Sequence, residues 1–525
     1  MIEPMVKRPT PTNHEFCYRA LQARDARFDG CFFTGVTSTG IYCRPVCRVR
    51  APKPENCRFF NLAAQAEQAG FRPCLRCRPE LAPRHASGQP LGQAWSMQDA
   101  CAILAGQAAA LMDAPHAPDG PALTVHALAL RLGISDRHLR RIFEAQWSIP
   151  PLTYLLTRRL LCAKQLLTDT PLAVSQVASM SGFTSVRRFN AAFATHYGLN
   201  PTQLRQRHAG APGSVKGDGI HVALSYRPPY DVTAMLQFLH TRELTGLEVV
   251  DTTAASLHRT LALHDGQQWL SGWLLARFDA DRCRVNLQVS DSLCSMLPTV
   301  LARVRAWLDL DADPLPIDQL LHTDFPGASG MRVPGTPDGF ELAVRAVLGQ
   351  QVTVAAARTL THRLVTRFGT PIDTPLTGLN RLFPSPQALA AAQALAAAQG
   401  DELGALGIVK QRQAAIVALA NAVLRGQLSL NSGADVSTTL TQLQALPGIG
   451  EWTAHYIAMR ALRWPDAFLA GDVALHKALG LQGTGQSAKA AQAASRAWQP
   501  WRSYAVIRAW ARLASTQASV TPGSE

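Results

Sequence analysis

Cys43 and Cys47 are separated by three residues, and twenty-six residues further on Cys74 and Cys77 are separated by two. Two close pairs of thiolates can meet one tetrahedral ion, so this spacing reads as a Zn2+ site with all four cysteines as ligands. A metal-bound thiolate stays deprotonated at neutral pH and can still attack a carbon electrophile. A second chemical centre stands far along the chain, in Leu446-Pro447-Gly448-Ile449-Gly450-Glu451-Trp452-Thr453-Ala454, with Asp472 twenty-two residues beyond Gly450. The two glycines, Gly448 and Gly450, let backbone amides approach a phosphate, and the helix that follows offers its N-terminus to the same anion. A carboxylate at Asp472 can stabilise developing positive charge and help direct water to it. By residue type alone, Asp472 serves equally as a helix N-cap and the Pro-Gly-x-Gly turn as a helix cap.

These groups need elements to hold them, and 525 residues predict three or four domains. The formal charge of +14 is uneven: residues 1–210 carry 25 of the 51 Lys and Arg but only 13 of the 37 Asp and Glu. Electrostatic affinity for DNA is expected to concentrate there. The opening MIEPMVKRPT lacks an apolar core, and no long uncharged apolar run suggests a membrane span. A cytoplasmic protein with its other cysteines reduced is expected.

After a Gly-, Pro- and Gln-rich stretch from Ala82 to Trp95, a weak repeat appears. Ala127-Leu128-Ala129-Leu130-Arg131-Leu132-Gly133-Ile134-Ser135 is echoed fifty residues later by Val177-Ala178-Ser179-Met180-Ser181-Gly182-Phe183-Thr184-Ser185. Each copy reads as helix, glycine turn, helix. Second helices starting at Ser135 and Ser185 would present Arg137, His138, Arg140 and Arg141 in one copy and Arg187, Arg188 and Asn190 in the other. A helix from about Pro151 to Asp169 would join them. Strands are expected at 221–226, 259–264 and 284–289, then a helix through Leu297, Val300, Val304 and Leu308, then a mostly helical remainder.

Three resemblances follow. Residues 12–82, through Thr39-Gly40-Ile41-Tyr42-Cys43-Arg44-Pro45-Val46-Cys47 and Phe71-Arg72-Pro73-Cys74-Leu75-Arg76-Cys77, resemble the Ada methylphosphotriester acceptor domain. That resemblance implies Cys43 as the methyl acceptor. Loss of its negative charge would then let Arg44, Arg48, Arg50, Lys53, Arg72, Arg76 and Arg78 dominate the local field and strengthen DNA binding. Residues 97–208, ending in Phe193-x3-Tyr197-Gly198-Leu199-Asn200-Pro201, resemble the AraC regulators. Residues 221–512 resemble the AlkA glycosylases, through the hairpin, Asp472, Pro228-Pro229-Tyr230-Asp231, Val347-Leu348-Gly349-Gln350 and Pro500-Trp501-Arg502-Ser503-Tyr504-Ala505.

The third resemblance implies Asp472 as the catalytic carboxylate, an aromatic pocket of Phe238, Trp452, Tyr456 and Trp510, and Gln350 beside the flipped nucleotide. It also implies a monovalent cation held by hairpin carbonyls. Gln351 stands where that family has a leucine wedge, and Trp452 where bifunctional relatives have a Schiff-base lysine. No Pro-Cys-His-Arg motif for direct O6-alkylguanine reversal occurs, and no cysteine follows Cys294.

The expected fold is therefore multidomain, mainly α with α+β parts. It comprises a zinc domain (1–85), a linker (86–96), a two-unit helix-turn-helix domain (97–208), a linker (209–219), an α+β lobe (220–312), a helix-hairpin-helix bundle (313–515) and a tail (516–525). The expected function is repair of alkylated DNA together with its regulation, on damaged and promoter double-stranded DNA, with RNA polymerase as a further partner. The alternative is a regulator whose C-terminal half binds DNA without catalysis.

Overall fold

The computed structural model describes residues 13–84, 97–114, 123–208, 219–399, 401–481 and 486–520, so both expected linkers fall almost wholly outside it. The N-terminal unit is a four-stranded sheet in the order Cys57–Phe60, Phe33–Val36, Ile41–Cys43, Arg72–Pro73. The last pair is parallel, with Tyr42 opposite Pro73, and Cys74 N donates to Tyr42 O at 2.9 Å. That pairing carries the two distant cysteine pairs of the sequence to one end of the sheet.

The helix-turn-helix repeat is present in both copies, Val125–Arg131 with Asp136–Trp147 and Val174–Met180 with Val186–Tyr197, joined by Pro151–Asp169. Ser135 and Ser185 are the N-caps of the second helices, accepting from His138 N and Arg188 N at 3.3 and 3.2 Å. Amphipathic spacing buries Leu139, Ile142 and Phe143 in one copy and Phe189, Phe193 and Tyr197 in the other. The opposite faces stay free, and Arg137, Arg140, Arg141, Arg187 and Arg188 are all exposed.

The sheet of the next lobe has five antiparallel strands, in the order Ile220–Ser225, Arg284–Val289, Trp269–Asp279, Ser256–His264, Glu248–Asp251. Three were expected; Glu248–Asp251 and Trp269–Asp279 are additional. The helix Leu297–Trp307 covers the sheet with Leu297, Val300, Leu301 and Val304 buried. Helices of the C-terminal bundle gather around two cores, one through Gly339–Leu348 and Lys410–Leu424, the other through Pro314–Leu321 and Arg502–Val520. Sheet lobe and bundle are locked by a buried network in which Arg259 and Arg345 each pair with both Glu248 and Glu341. Removing one partner of such a network would strand a charge, at a cost of about 3–5 kcal/mol.

The zinc unit also packs on the long helix Pro151–Asp169. Lys164 pairs with Glu80 at 2.5 Å, Arg78 with Asp169 at 2.7 Å, and Glu67 accepts from Tyr42 Oη and Thr157 Oγ1 at 2.9 and 2.8 Å. Burial pushes the Glu67 carboxyl up from its ordinary 4.5 to about 7, against the pull of those hydrogen bonds. The folded state thus holds this proton more tightly than the unfolded chain, so the group's contribution is greatest at low pH and declines as pH rises from 4.5 through 7. Glu67→Gln is expected to flatten the pH dependence of the thermal unfolding midpoint across that window; an unchanged slope contradicts this.

Candidate metal centre and active site

The Sγ atoms of Cys43, Cys47, Cys74 and Cys77 lie within 4.8 Å of one another. Tetrahedral zinc with Zn–S distances of about 2.3 Å asks for sulfurs just under 4 Å apart, so the four fit that ion. Hydrogen bonding with Cys47 and Cys74 raises the Cys43 thiol, while hydrogen bonding from Cys43 drives Cys74 far below the thiol range and brings Cys47 down to about 7. Crowded sulfurs share protons unevenly in this way, whereas a divalent cation lets all four ionise. Cys43, Cys47 and Cys74 are buried and Cys77 is half-buried.

The cationic surround differs from expectation at two positions. Arg44 is buried against Asp29, donates to Cys77 O at 3.0 Å and to Ser225 Oγ at 2.8 Å, and so does not face solvent. Arg78 is engaged by Glu80 and Asp169. Arg48, Arg50, Lys53, Arg72 and Arg76 are exposed and carry the surface charge near the cluster. Sequence spacing cannot separate the two groups, because Asp29, Glu80, Asp169 and Ser225 are distant in the chain.

The second centre forms where the hairpin meets the two bundle cores. Gly448 adopts φ +75°, which favours glycine, and a Cβ there would lie 3.2 Å from Ala415 Cβ and 3.3 Å from Gln411 O, a tight fit. Gly450 N-caps the helix Glu451–Arg460, which carries Trp452 and Tyr456 on one face. Their rings stack at 5.2 Å with 8° between planes, and Trp510 lies 6.3 Å from Tyr456.

Asp472 is buried and is indeed the N-cap of Val473–Ala478, accepting from Leu475 N at 2.6 Å. It is also gripped by the pocket: Trp452 Nε1 donates to Oδ2 and Trp510 Nε1 to Oδ1, each at 3.0 Å. The N-cap and the pocket group are the same side chain. Three donors on one carboxylate, two of them indole N–H groups, fix its direction.

Phe238 packs against the same core as the Trp452, Tyr456 and Trp510 rings, and its own ring is covered by the guanidinium groups of Arg242 at 3.8 Å and Arg460 at 4.9 Å. Arg460 also donates to Tyr456 Oη at 2.6 Å. Burial alone would raise the Tyr456 phenol, yet Arg460 and Arg242 hold it below its ordinary value. Burial brings Arg242 itself down to about 10. Neither arginine belongs to a motif of the sequence reading, although each stands four residues after its aromatic partner, a helical spacing that was legible.

Gln350 is turned toward the hairpin, with Nε2 donating to Gly448 O at 2.8 Å and Thr453 Oγ1 at 2.9 Å. Gln351 is exposed and holds φ +54°, a left-handed position that sets it apart from the preceding helix Gly339–Leu348.

A probable bifunctional transcriptional activator/DNA repair enzyme AlkA of Mycobacterium tuberculosis is 37% identical over 507 residues, covering 95% of this chain and 96% of that one. The chain belongs to this bifunctional activator and repair family. Four family models match in order: the metal binding domain of Ada at 16–80, a helix-turn-helix domain at 128–207, the AlkA N-terminal domain at 221–338 and the HhH-GPD superfamily of base excision DNA repair proteins at 344–503. The DNA-3-methyladenine glycosylase 2 of Escherichia coli is 33% identical over 287 residues, 55% of this chain and 95% of that one. The bifunctional activator/repair enzyme Ada of the same organism is 35% identical over 146 residues, 28% of this chain and 36% of that one.

Within this bifunctional family, the four clustered cysteines are the zinc site of the Ada-type domain. No helix among the described residues is long and apolar enough to cross a membrane.

Proposed function

We propose that one chain senses and repairs alkylated DNA. Cys43 takes a methyl group from a backbone phosphotriester, and the pocket around Asp472 excises alkylated bases such as 3-methyladenine. The observation that carries the second half is the Asp472 carboxylate held by the N–H groups of both pocket indoles. A purine alkylated at N3 or N7 is cationic and already a good leaving group, so no general acid is needed. The stacked Trp452 and Tyr456 offer it π faces. Asp472 then stabilises the oxocarbenium-like sugar and helps direct water to it. Phe238, with its ring covered by Arg242 and Arg460, serves as a wall of the pocket.

Gln350 acts as the pin between the turn at Gln351 and the hairpin, and Gln351 as the group that enters the gap left by the flipped base. Gly448 and Gly450 present backbone amides to a phosphate, and hairpin carbonyls hold a monovalent cation. The exposed Arg137, Arg140, Arg141, Arg187 and Arg188 bind promoter DNA in the helix-turn-helix unit, with RNA polymerase as the downstream partner in the cytoplasm. The domain limits that fit this division are 1–85, 97–208, 220–312 and 313–515.

Trp510→Phe keeps a ring but removes one donor to Asp472, and a charge-assisted bond of this kind corresponds to about a tenfold to hundredfold loss in base release. Single-turnover kinetics on methylated duplex measure it; a wild-type rate would place the carboxylate's control elsewhere. Arg188→Ala is expected to lower the salt slope of promoter binding by about one.

With Trp452 at the hairpin position and no lysine there, the glycosylase is monofunctional. Methylated duplex should therefore yield free base and an intact abasic strand. Borohydride trapping of a covalent protein–DNA adduct would overturn that assignment.

A further inference from the structure

The sensor unit is joined to the glycosylase lobe by a contact that neither proposed activity uses. Arg227, fully buried at the end of the first strand of the lobe, donates Nε to Asp29 O at 2.9 Å, Nη2 to Arg84 O at 2.8 Å and Nη1 to Asp311 O at 2.7 Å. Arg305 of the lobe donates to Leu81 O at 3.1 Å and to Asp311 Oδ1 at 2.7 Å. Asp311 in turn accepts from Arg84 N at 2.8 Å. Gly30 sits in this seam at φ +73°, where a Cβ would lie 2.1 Å from Pro83 O and 3.2 Å from Arg227 Nη2. Two lobe arginines thus grasp the backbone of the sensor at 29 and 81–84, where the sensor's own Pro83 carbonyl leaves no room for a side chain at Gly30.

Arg44 links this seam to the metal centre. It follows Cys43 directly, its amide donates to Cys77 Sγ at 3.3 Å, and its guanidinium spans Cys77 O, Asp29 and Ser225 Oγ of the lobe. A buried guanidinium is tolerable only while enough negative charge surrounds it. Here that charge is the Asp29 carboxylate in direct contact and Cys77 of the cysteine cluster, with Glu80 adding to it.

We propose that this seam is a dock between the sensor and the glycosylase lobe, and that methyl transfer to Cys43 loosens it. The inference rests on Cys43 being the methyl acceptor. In the transfer, the phosphotriester O–CH3 bond breaks and an S–CH3 bond forms at Cys43; the phosphate leaves as a diester anion. A thiolate beside Arg44 becomes a neutral thioether. The buried guanidinium loses part of its compensation, the docked state becomes less favourable, and Arg44 is freed toward a phosphate. The sensor's methylation state is in this way read by the glycosylase half as well as by DNA.

Hydrogen exchange of the full-length zinc-loaded protein, followed by mass spectrometry, tests this. The samples are protein before and after reaction with a methylphosphotriester duplex, with the same duplex lacking the lesion as control. Amides at 29–31, 81, 82 and 84 are expected to be protected at first and to exchange at least about threefold faster in protein carrying the added methyl mass on Cys43. Arg227→Ala should give the same loss without methylation. Ser225→Ala, which removes only the acceptor for Arg44, should give a smaller one, with the helix Glu451–Arg460 unchanged in both. Unchanged exchange in both variants overturns the dock. Methyl on Cys43 with unchanged exchange overturns the switch. Methyl absent from Cys43 overturns the reading of Cys43, and the switch with it, while the variants still decide the dock.

Discussion

Asp472→Asn is expected to lower the rate of 3-methyladenine release by about 10²–10³-fold, the usual scale for loss of a placed transition-state stabiliser. The geometry sets this size. The Asp472 carboxylate accepts from Trp452 Nε1, Trp510 Nε1 and Leu475 N, using both oxygens. Asparagine keeps the shape but has one acceptor oxygen, so at least one indole N–H loses its partner and the amide brings further N–H groups into the cluster. More important, the negative charge facing the cationic sugar is gone. Affinity for an abasic duplex should change little, because phosphate contacts at the hairpin do not involve Asp472; that separates a chemical defect from a folding one. Release near the wild-type rate with intact affinity would instead favour a carboxylate that only caps a helix.

Cys43→Ala is expected to abolish methyl transfer and to weaken zinc retention, since one side chain is both nucleophile and ligand. Cys57→Ala, a buried cysteine outside the cluster, should keep transfer. Peptide mass mapping distinguishes the outcomes. Cys77 is the most exposed of the four, so methyl found there would reassign the acceptor. Transfer to Cys43 also carries the regulatory consequence. Four thiolates around a divalent ion have net charge minus two, and methylation makes this minus one. For a phosphate roughly 8 Å away, removing one repulsive charge corresponds to about 0.5 kcal/mol in water and about 2 kcal/mol at an effective dielectric of 20. Summed over neighbouring phosphates, and with Arg48, Arg50, Lys53, Arg72 and Arg76 already exposed, this moves promoter affinity upward by about tenfold or more.

Local signals made much of the molecule legible. The helix Pro151–Asp169, the helix starts at Ser135 and Ser185 and the strand Arg284–Val289 stand where residue pattern placed them, because element starts and periodicity are written within a few residues. Trp269–Asp279 lacks an alternating signal because Trp273, Leu274, Leu275 and Ala276 run together, although the folded strand buries Leu274, Ala276 and Phe278 with Leu275 half-buried and Arg277 exposed between them. Asp472 was legible as a residue, but its two indole donors lie twenty and thirty-eight residues away and follow from packing alone. Arg44 shows the reverse. Its charge and its place beside Cys43 suggested a surface role, and a carboxylate at Asp29 and a hydroxyl at Ser225 take it inside. Long-range partners of charged groups are set by tertiary contacts that no local pattern encodes.

The most direct test uses one duplex carrying both a backbone methylphosphotriester and 3-methyladenine, incubated with the full-length protein. The expected result is the mass of one methyl group on the peptide containing Cys43, together with free 3-methyladenine and an uncleaved abasic strand. Asp472→Asn should keep the first product and lose the second, and Cys43→Ala the reverse. Methylated Cys43 without any released base from wild-type protein, or released base with no methyl on any of the four cysteines, would contradict a chain that is sensor and glycosylase at once.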